Sequence, residues 1–80
     1  MKTKKVKAHV TEHDEDDNLI IDRKVEFILD TFRNEEGEIE LDGWDVEEEM
    51  TEEEYSAVRL WADDFGHMKE ICDKLGVKYI

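Results

Sequence analysis

The first apolar pattern in the chain is a strict alternation near its beginning. Val6, Ala8 and Val10 are separated by single polar residues, and a period of two residues is typical of a strand with one buried face. We therefore predict a strand over residues 4–12. The run DEDDN at residues 14–18 is rich in side chains that bond their own backbone, so it is predicted to be a loop.

The next apolar segment, LIIDRKVEFILDTFR at residues 19–33, fits two patterns. A helical stripe would contain Val25, Ile28, Leu29 and Phe32, whereas one strand face would contain Val25, Phe27, Leu29 and Thr31. The sequence NEEG that follows, at residues 34–37, has Asn first and Gly fourth, which suits a type I turn closing a hairpin. The turn favours the strand interpretation.

After this turn the alternation changes phase once. Ile39 and Leu41 alternate with acids, and one residue later Trp44 and Val46 do the same. The change at residues 42–43, Asp-Gly, indicates either a two-residue hairpin turn or a bulge in one longer strand, where Gly supplies an unusual φ. Both interpretations place the four apolar residues on one face.

From Thr51 onward the pattern is helical, because apolar residues recur every three or four positions. This stripe contains Tyr55, Val58, Trp61, Phe65, Met68, Cys72 and Leu75. Thr51 and Glu54 form a capping-box pair, and Gly76 suits the C-terminal cap. We predict one long helix over residues 52–75, with Gly66 as a possible kink. The tail VKYI is expected to cap the helix end or to add a short edge strand.

These elements predict an α+β fold, in which a small antiparallel meander packs against one long C-terminal helix. The β-rich part covers residues 4–49, and the whole chain, residues 1–80, is expected to be a single domain. A chain of this length buries only roughly 60% of the surface that it exposes when unfolded, so its core is small.

The charge of the chain is strongly negative. The 24 acids and 11 bases give a formal charge of −13, and such a field repels nucleic acid and anionic membranes but attracts basic surfaces. The charge is uneven, since residues 1–8 carry +4, residues 9–64 carry −18 and residues 65–80 carry +1. We therefore expect a basic protein partner, with no direct binding to nucleic acid or membrane.

The acids are densest between residues 34 and 54, where 12 of 21 residues are Asp or Glu and none is basic. The glutamates at the helix start complement the helix dipole, but the others have no evident local task, and like charges close together on a sheet are destabilising. We predict that they bind a partner, together with two apolar residues that share their face in the strand interpretation. The predicted contact residues are Glu38, Glu40, Asp42, Asp45, Glu47, Glu48, Glu49, Ile28 and Phe32.

Other motifs in the chain give weaker evidence for a metal or catalytic site. Asp14, Asp16 and Asn18 have the spacing of the first half of a calcium loop, but Leu19 and Val25 stand where Gly and Glu are needed. His9 and His13, beside Asp14, lack a third metal ligand at a recognisable spacing. No nucleophile elbow, phosphate loop or Cys-x-x-Cys occurs, so we expect no enzyme activity, no catalytic residue, no metal and no cofactor.

Two functions fit these observations. The first is a small acidic inhibitor, of the kind made by phages and mobile elements against restriction, repair or CRISPR proteins, whose carboxylates imitate the charge of a nucleic-acid backbone. The second is an acidic interaction module, such as an antitoxin, an immunity protein or a regulatory subunit. The phage context is an analogy.

The compartment and the oligomeric state are less constrained by the sequence. The single cysteine, Cys72, lies in the helical stripe and is predicted to be a core residue. The chain has no apolar run typical of a signal peptide or a membrane span. We expect a cytoplasmic protein, in the host cytoplasm if it is phage-encoded, and the sequence leaves its oligomeric state open.

Overall fold

The computed structural model describes residues 2–79 and has an α+β fold. Three antiparallel strands form one sheet in the order β1, β2, β3, and two short helices pack on one face of it. The elements are β1 at Lys2–His13, β2 at Leu19–Arg33, β3 at Ile39–Asp45, α1 at Glu52–Arg59, a π-helical turn at Leu60–Asp64 and α2 at His67–Leu75.

Strand β2 is the centre of the sheet and resolves the ambiguity of residues 19–33 in favour of the strand. Its odd-numbered residues Val25, Phe27, Leu29 and Thr31 are almost fully buried, and Val25 and Phe27 pair with Ala8 and Val6 of β1. The helical alternative is therefore wrong, and Ile28 and Phe32 lie on the opposite face of the strand from the core.

The turn between β2 and β3 has the predicted form. Gly37 has a φ of 84°, its N–H donates to the carbonyl of Asn34 at 3.0 Å, and the N–H of Asn34 donates to the carbonyl of Glu38 at 2.8 Å. The side-chain oxygen of Asn34 also accepts from the N–H groups of Glu36 and Glu38. Asn and Gly thus satisfy the backbone of the turn and fix the register of the hairpin.

Residues 42–43 form a bulge and not a hairpin turn. Asp30 of β2 pairs with Gly43 and Thr31 pairs with Leu41, which leaves Asp42 as the extra residue on β3. Gly43 keeps an ordinary negative φ, so the expected unusual backbone angle is absent there. The bulge keeps Leu41 and Trp44 on the core side of the strand, in agreement with the sequence pattern.

The helical region begins as predicted. Thr51 Oγ1 accepts from the N–H of Glu54 at 3.1 Å, and Glu54 Oε1 accepts from the N–H of Thr51 at 3.0 Å. This is a complete capping box, in which two of the backbone donors at the helix start are satisfied. At the other end Gly76 adopts a φ of 72°, as a C-terminal glycine cap requires.

The prediction of one long helix is wrong. The first helical segment, α1 plus the π-helical turn, ends at Asp64, and Gly66 then adopts a left-handed φ of 77° that starts α2 in a new direction. A left-handed residue cannot continue a right-handed helix, and glycine adopts this angle without steric cost. Two members of the predicted apolar stripe are exposed: Phe65, beside the break, by 58%, and Leu75, the last residue of α2, by 37%.

The core is organised around a row of aromatic rings. Phe27 packs edge-on against Trp44, with ring centroids 5.5 Å apart, and parallel to Trp61 at 5.7 Å. Trp61 in turn stacks on the imidazole of His67 at 4.3 Å. The row links the sheet to the π-helical turn and to α2, and within it Phe27 contacts both β3 and the π-helical turn. Cys72 is fully buried in the same core, as predicted.

The tail after α2 covers one edge of the sheet. Lys78 forms a parallel bridge with Glu40: its N–H donates to the carbonyl of Ile39 at 2.7 Å, and its carbonyl accepts from the N–H of Leu41 at 3.0 Å. The tail thus meets the sheet edge through a single bridge and not through a strand, while Val77 is buried beside the end of α2; Ile80, the last residue of the tail, lies outside the described residues. None of the helices within residues 2–79 has the length and apolar character needed to cross a membrane.

We expect the two phenylalanines of β2 to differ greatly in their contribution to stability. Phe27→Ala removes the ring that joins Trp44 to Trp61 and should lower the free energy of unfolding by about 3–5 kcal/mol. Phe32→Ala, on the same strand but 37% exposed, should cost about 1 kcal/mol or less. Urea unfolding followed by tryptophan fluorescence measures both, and equal losses would contradict the assignment of the faces.

Candidate functional site

The face of the sheet turned away from the helices is the candidate partner-binding surface, and we call it the outer face. The strand registers place three rows of side chains on it. These rows are Thr3, Lys5, Lys7, His9 and Thr11 on β1; Asp22, Lys24, Glu26, Ile28, Asp30 and Phe32 on β2; and Glu40 and Asp45 on β3, with Asp42 at the bulge.

Charge changes sign across this face. The β1 row carries lysines, and the β3 row carries carboxylates. Between them, Ile28 pairs with Lys5 on one side and with Asp45 on the other, and Phe32 pairs with Glu40. Ile28 is half-buried, whereas Phe32 is 37% exposed. The predicted apolar contacts therefore lie beside the acids, and the outer face as a whole carries six carboxylates, counting Asp42 at the bulge, against three lysines.

One predicted contact residue, Glu48, has a structural task inside the chain. The pairing of β3 with β2 ends at Ile28. Beyond this point, Glu48 Oε1 accepts from the N–H of Glu26, which lies two residues before Ile28 in β2, at 3.2 Å. Its other oxygen lies 3.6 Å from Arg23 Nη1, and Arg23 also donates to the carbonyl of Glu49 at 3.4 Å. The Glu48 side chain thus replaces a missing strand partner and is engaged within the chain.

Three further predicted contact residues are partly engaged within the chain. Glu38 lies 3.9 Å from Lys78 Nζ, and Glu40 accepts from the side-chain amide of Asn34 at 2.5 Å. Asp45 Oδ1 accepts from the N–H of Val46 at 2.7 Å and from the hydroxyl of Tyr55 at 3.3 Å. Burial and the nearby Asp45 carboxylate raise the pKa of Tyr55, so this hydroxyl keeps its proton and donates.

The remaining predicted acids have no partner within residues 2–79. The carboxylates of Asp42, Glu47 and Glu49 are exposed, and they form no hydrogen bond or ion pair with the described part of the chain. With Glu40 and Asp45 they follow β3 and the segment after it. We call these five residues the acidic strip: Glu40, Asp42, Asp45, Glu47 and Glu49.

Three polar contacts were not foreseen from the sequence. The indole N–H of Trp44 donates to Asp63 Oδ1 on the π-helical turn at 3.1 Å, which ties Trp44 to the core side and away from any partner. On the outer face His9 Nε2 and Thr11 Oγ1 both contact Asp22 Oδ1. The hydrogen bond with His9 is the main cause that lowers the pKa of Asp22. Only the strand register, which sequence alone leaves undetermined, brings these residues together.

The other candidate motifs have structural roles. Asp14 Oδ1 accepts from the N–H groups of Asp16 and Asn18 at 2.9 Å each, so it closes the loop between β1 and β2. Within residues 2–79 no group of three or more His, Cys, Asp or Glu side chains is arranged to hold a metal ion. Burial raises the pKa of the Cys72 thiol, which keeps it protonated and unreactive.

No protein-family model, curated protein or solved structure matches the chain.

We expect truncation of Glu48 to destabilise the fold and truncation of Glu47 to have almost no effect. Glu48→Ala leaves the N–H of Glu26 and the Arg23 guanidinium without their partner and should lower the free energy of unfolding by about 1–2 kcal/mol. Glu47→Ala removes an exposed charge from a crowded region and should change it by less than about 0.5 kcal/mol. Urea denaturation at low and moderate salt measures both; a harmless Glu48→Ala would show that this carboxylate is not structural.

Stability should fall when the solution is acidified below about pH 4. Hydrogen bonds in the folded chain lower the pKa values of Asp14, Asp22 and Glu54. A lowered folded-state pKa gives stability that is present above the unfolded-state pKa and is lost as pH falls through the folded-state value. Asp22→Asn should flatten this acid limb in urea-midpoint measurements, and an acid limb of unchanged shape would contradict the prediction.

Proposed function

We propose that the chain is a small acidic, non-enzymatic inhibitor, which binds a basic nucleic-acid-binding protein by imitating nucleic-acid charge. The observation that supports this most is the acidic strip, where several carboxylates follow one another along the chain and none forms an ion pair with a cation among residues 2–79. A positively charged partner surface would remove the repulsion among them. The mechanism would be competition for a groove, with no turnover.

The density of carboxylates along the strip suits such imitation. Each strand of duplex DNA carries a phosphate every ~3.4 Å along its axis, whereas the bulge at Asp42 and the end of β3 at Asp45 make the spacing of the carboxylates irregular. The strip would therefore imitate the concentrated charge of a phosphate backbone and not its exact repeat. Lys or Arg side chains that hold phosphates are long and could adjust to this irregular spacing.

Ile28 and Phe32 would add contacts that a nucleic acid does not offer. They lie next to the strip on the outer face, and Phe32 leaves 37% of its surface exposed. Charge on an interface mainly sets the rate of encounter, whereas a few buried apolar anchors carry most of the affinity. The inhibitor would thus be recruited by its carboxylates and retained by its apolar residues.

The test is a pull-down from the source cells with the immobilised chain, eluted either by salt or by double-stranded DNA. We expect the retained proteins to bind nucleic acid, DNA to displace them, and affinity to fall by about tenfold or more between about 50 and 200 mM salt. Retained proteins that DNA fails to displace would contradict the proposal.

Two matched variants then locate the contact. The first neutralises the three unpartnered acids of the strip by Asp42→Asn, Glu47→Gln and Glu49→Gln. The second neutralises three acids of the β1–β2 loop by Glu15→Gln, Asp16→Asn and Asp17→Asn. Both raise the net charge by the same amount, so only position distinguishes them. We expect the first variant to lose most of its binding and the second to keep it. Equal losses would show that overall charge, and not the position of the acids, determines binding.

The second candidate, an interaction module, is supported by apolar residues on the helical side. Phe65 is 58% exposed and Leu60 is 40% exposed, and both lie near the break between the helices. A module that binds through them would show little dependence on salt and would lose its partner on Phe65→Ser or Leu60→Ser. The strip variant would leave its binding intact.

A further inference from the structure

The two edges of the sheet differ in how far other parts of the chain cover them. On the β3 side the tail bonds to Ile39 and Leu41, and Glu48 bonds to the N–H of Glu26. On the β1 side no strand pairs with the outer edge among residues 2–79, although β1 is 12 residues long. A long uncovered edge presents a row of unpaired N–H and C=O groups, to which another strand can add.

The free edge is also regular. The register shift near the end of β1 comes from an extra residue on β2, because Glu12 pairs with Ile21 and His13 with Leu19, which leaves Ile20 unpaired. β1 itself therefore runs from Lys2 to His13 without a bulge. A bulge is one of the devices that close an edge to strand addition, and this edge lacks it.

Charge along the free edge reverses from one end to the other. Residues 2–8 contain four lysines and no acid, whereas the other end of β1 carries Glu12 and leads into a loop whose residues 14–17 are all acids. An antiparallel pairing of this strand with a second copy would place the basic half of each copy against the acidic half of the other. The edge is complementary to itself, as a two-fold interface requires.

We propose that β1 is a homodimer edge, where a second copy of this chain adds antiparallel to form a six-stranded sheet. Ala8 lies on the two-fold axis and faces Ala8 of the other copy. On the core side this register places Lys4 opposite Glu12 and Val6 opposite Val10. On the outer face it places Lys5 opposite Thr11 and Lys7 opposite His9.

Neighbouring registers of the two β1 strands match charge and apolar character less well. A shift of one residue would bring the core-side residues of one copy onto the outer face of the other, because side chains alternate in direction. A shift of two in one direction places Lys7 opposite Lys7, which is a like-charge contact. A shift of two in the other direction places Val6 opposite Glu12, which separates Glu12 from Lys4. Only the register centred on Ala8 matches both charge and apolar character.

The dimer would also cover apolar surface that one copy leaves half-exposed. Val6 and Ala8 are only partly buried, while Val10 on the same side of β1 is completely buried. In the proposed register Val6 meets Val10 of the second copy, and the two Ala8 residues meet each other. The interface therefore continues the core-side apolar row of each sheet across the axis.

A charge-swap experiment tests the register. Sedimentation velocity at rising concentration should show the 9.5 kDa chain passing to a species of twice its mass. Glu12→Lys creates two Lys–Lys contacts per dimer and should weaken association by about tenfold or more. Adding Lys4→Glu exchanges the charges, restores the wild-type net charge and should return the dissociation constant to within about threefold. A double variant as weak as Glu12→Lys alone, or a wild-type chain that stays monomeric, would overturn the proposal.

A cysteine pair provides an independent measurement. In the proposed register the two Ala8 Cα atoms are about 4.5–5.5 Å apart, within the range that a disulfide spans. Ala8→Cys should therefore form a covalent dimer under mild oxidation, and the native Cys72 should not interfere because it is buried. Lys5→Cys is the matched control, since its two copies would be about 20 Å apart along the strands. Equal cross-linking of the two variants would contradict the register.

This inference is independent of the proposed function. The acidic strip lies at the β3 edge, away from the proposed axis, so a dimer would present two strips, one at each side of the joined sheet. Failure of DNA to displace a partner would leave the dimer untouched. A monomeric chain would leave the competition experiment untouched.

Discussion

One-sided burial of the central strand is the constraint on which the structure depends. β2 pairs along both of its sides, and its odd-numbered residues from Val25 to Thr31 enter the core. A slip of one residue would bring Asp30 and Ile28 into the core and expel Phe27 and Leu29. The two register shifts, at Ile20 and at Asp42, leave this alternation intact. The position of every acid and lysine on the outer face follows from it.

The acids fall into two groups, according to whether they bond to the backbone of the chain. Asp14, Glu48 and Glu54 accept hydrogen bonds from backbone N–H groups at places where the regular ladders stop, so they stabilise the fold. The unpartnered acids of the strip only add repulsion. The lysines of β1 lie two strand spacings from β3, about 9–10 Å, and the screening length at 0.1 M salt is about 10 Å. They therefore weaken the field of the strip without neutralising it.

The sequence predicted the features that local rules determine. Alternation predicted β1 and the core-side residues of β3, Asn34 and Gly37 predicted the turn and so favoured a strand for residues 19–33, and Thr51 with Glu54 predicted the helix start. The sequence-based prediction failed where contacts between distant residues determine the structure. The apolar stripe kept its phase across Gly66, so the helix break was invisible to periodicity. Glu48 gained its role only because β3 ends early. The cationic row beside Ile28 depends on the pairing of β1 with β2, which residue spacing does not fix.

The turn back at Gly66 has a topological consequence. It brings the tail to β3 at the same level of the sheet where β1 begins, since Lys2 pairs with Thr31, Thr31 with Leu41, and Leu41 bonds to Lys78. The two described chain ends are thus about three strand spacings apart, roughly 14 Å. A linker of a few residues would span that gap. A circularly permuted chain that joins these ends and begins in the loop at residues 14–17 should therefore adopt the same fold, with its strands made in a different order.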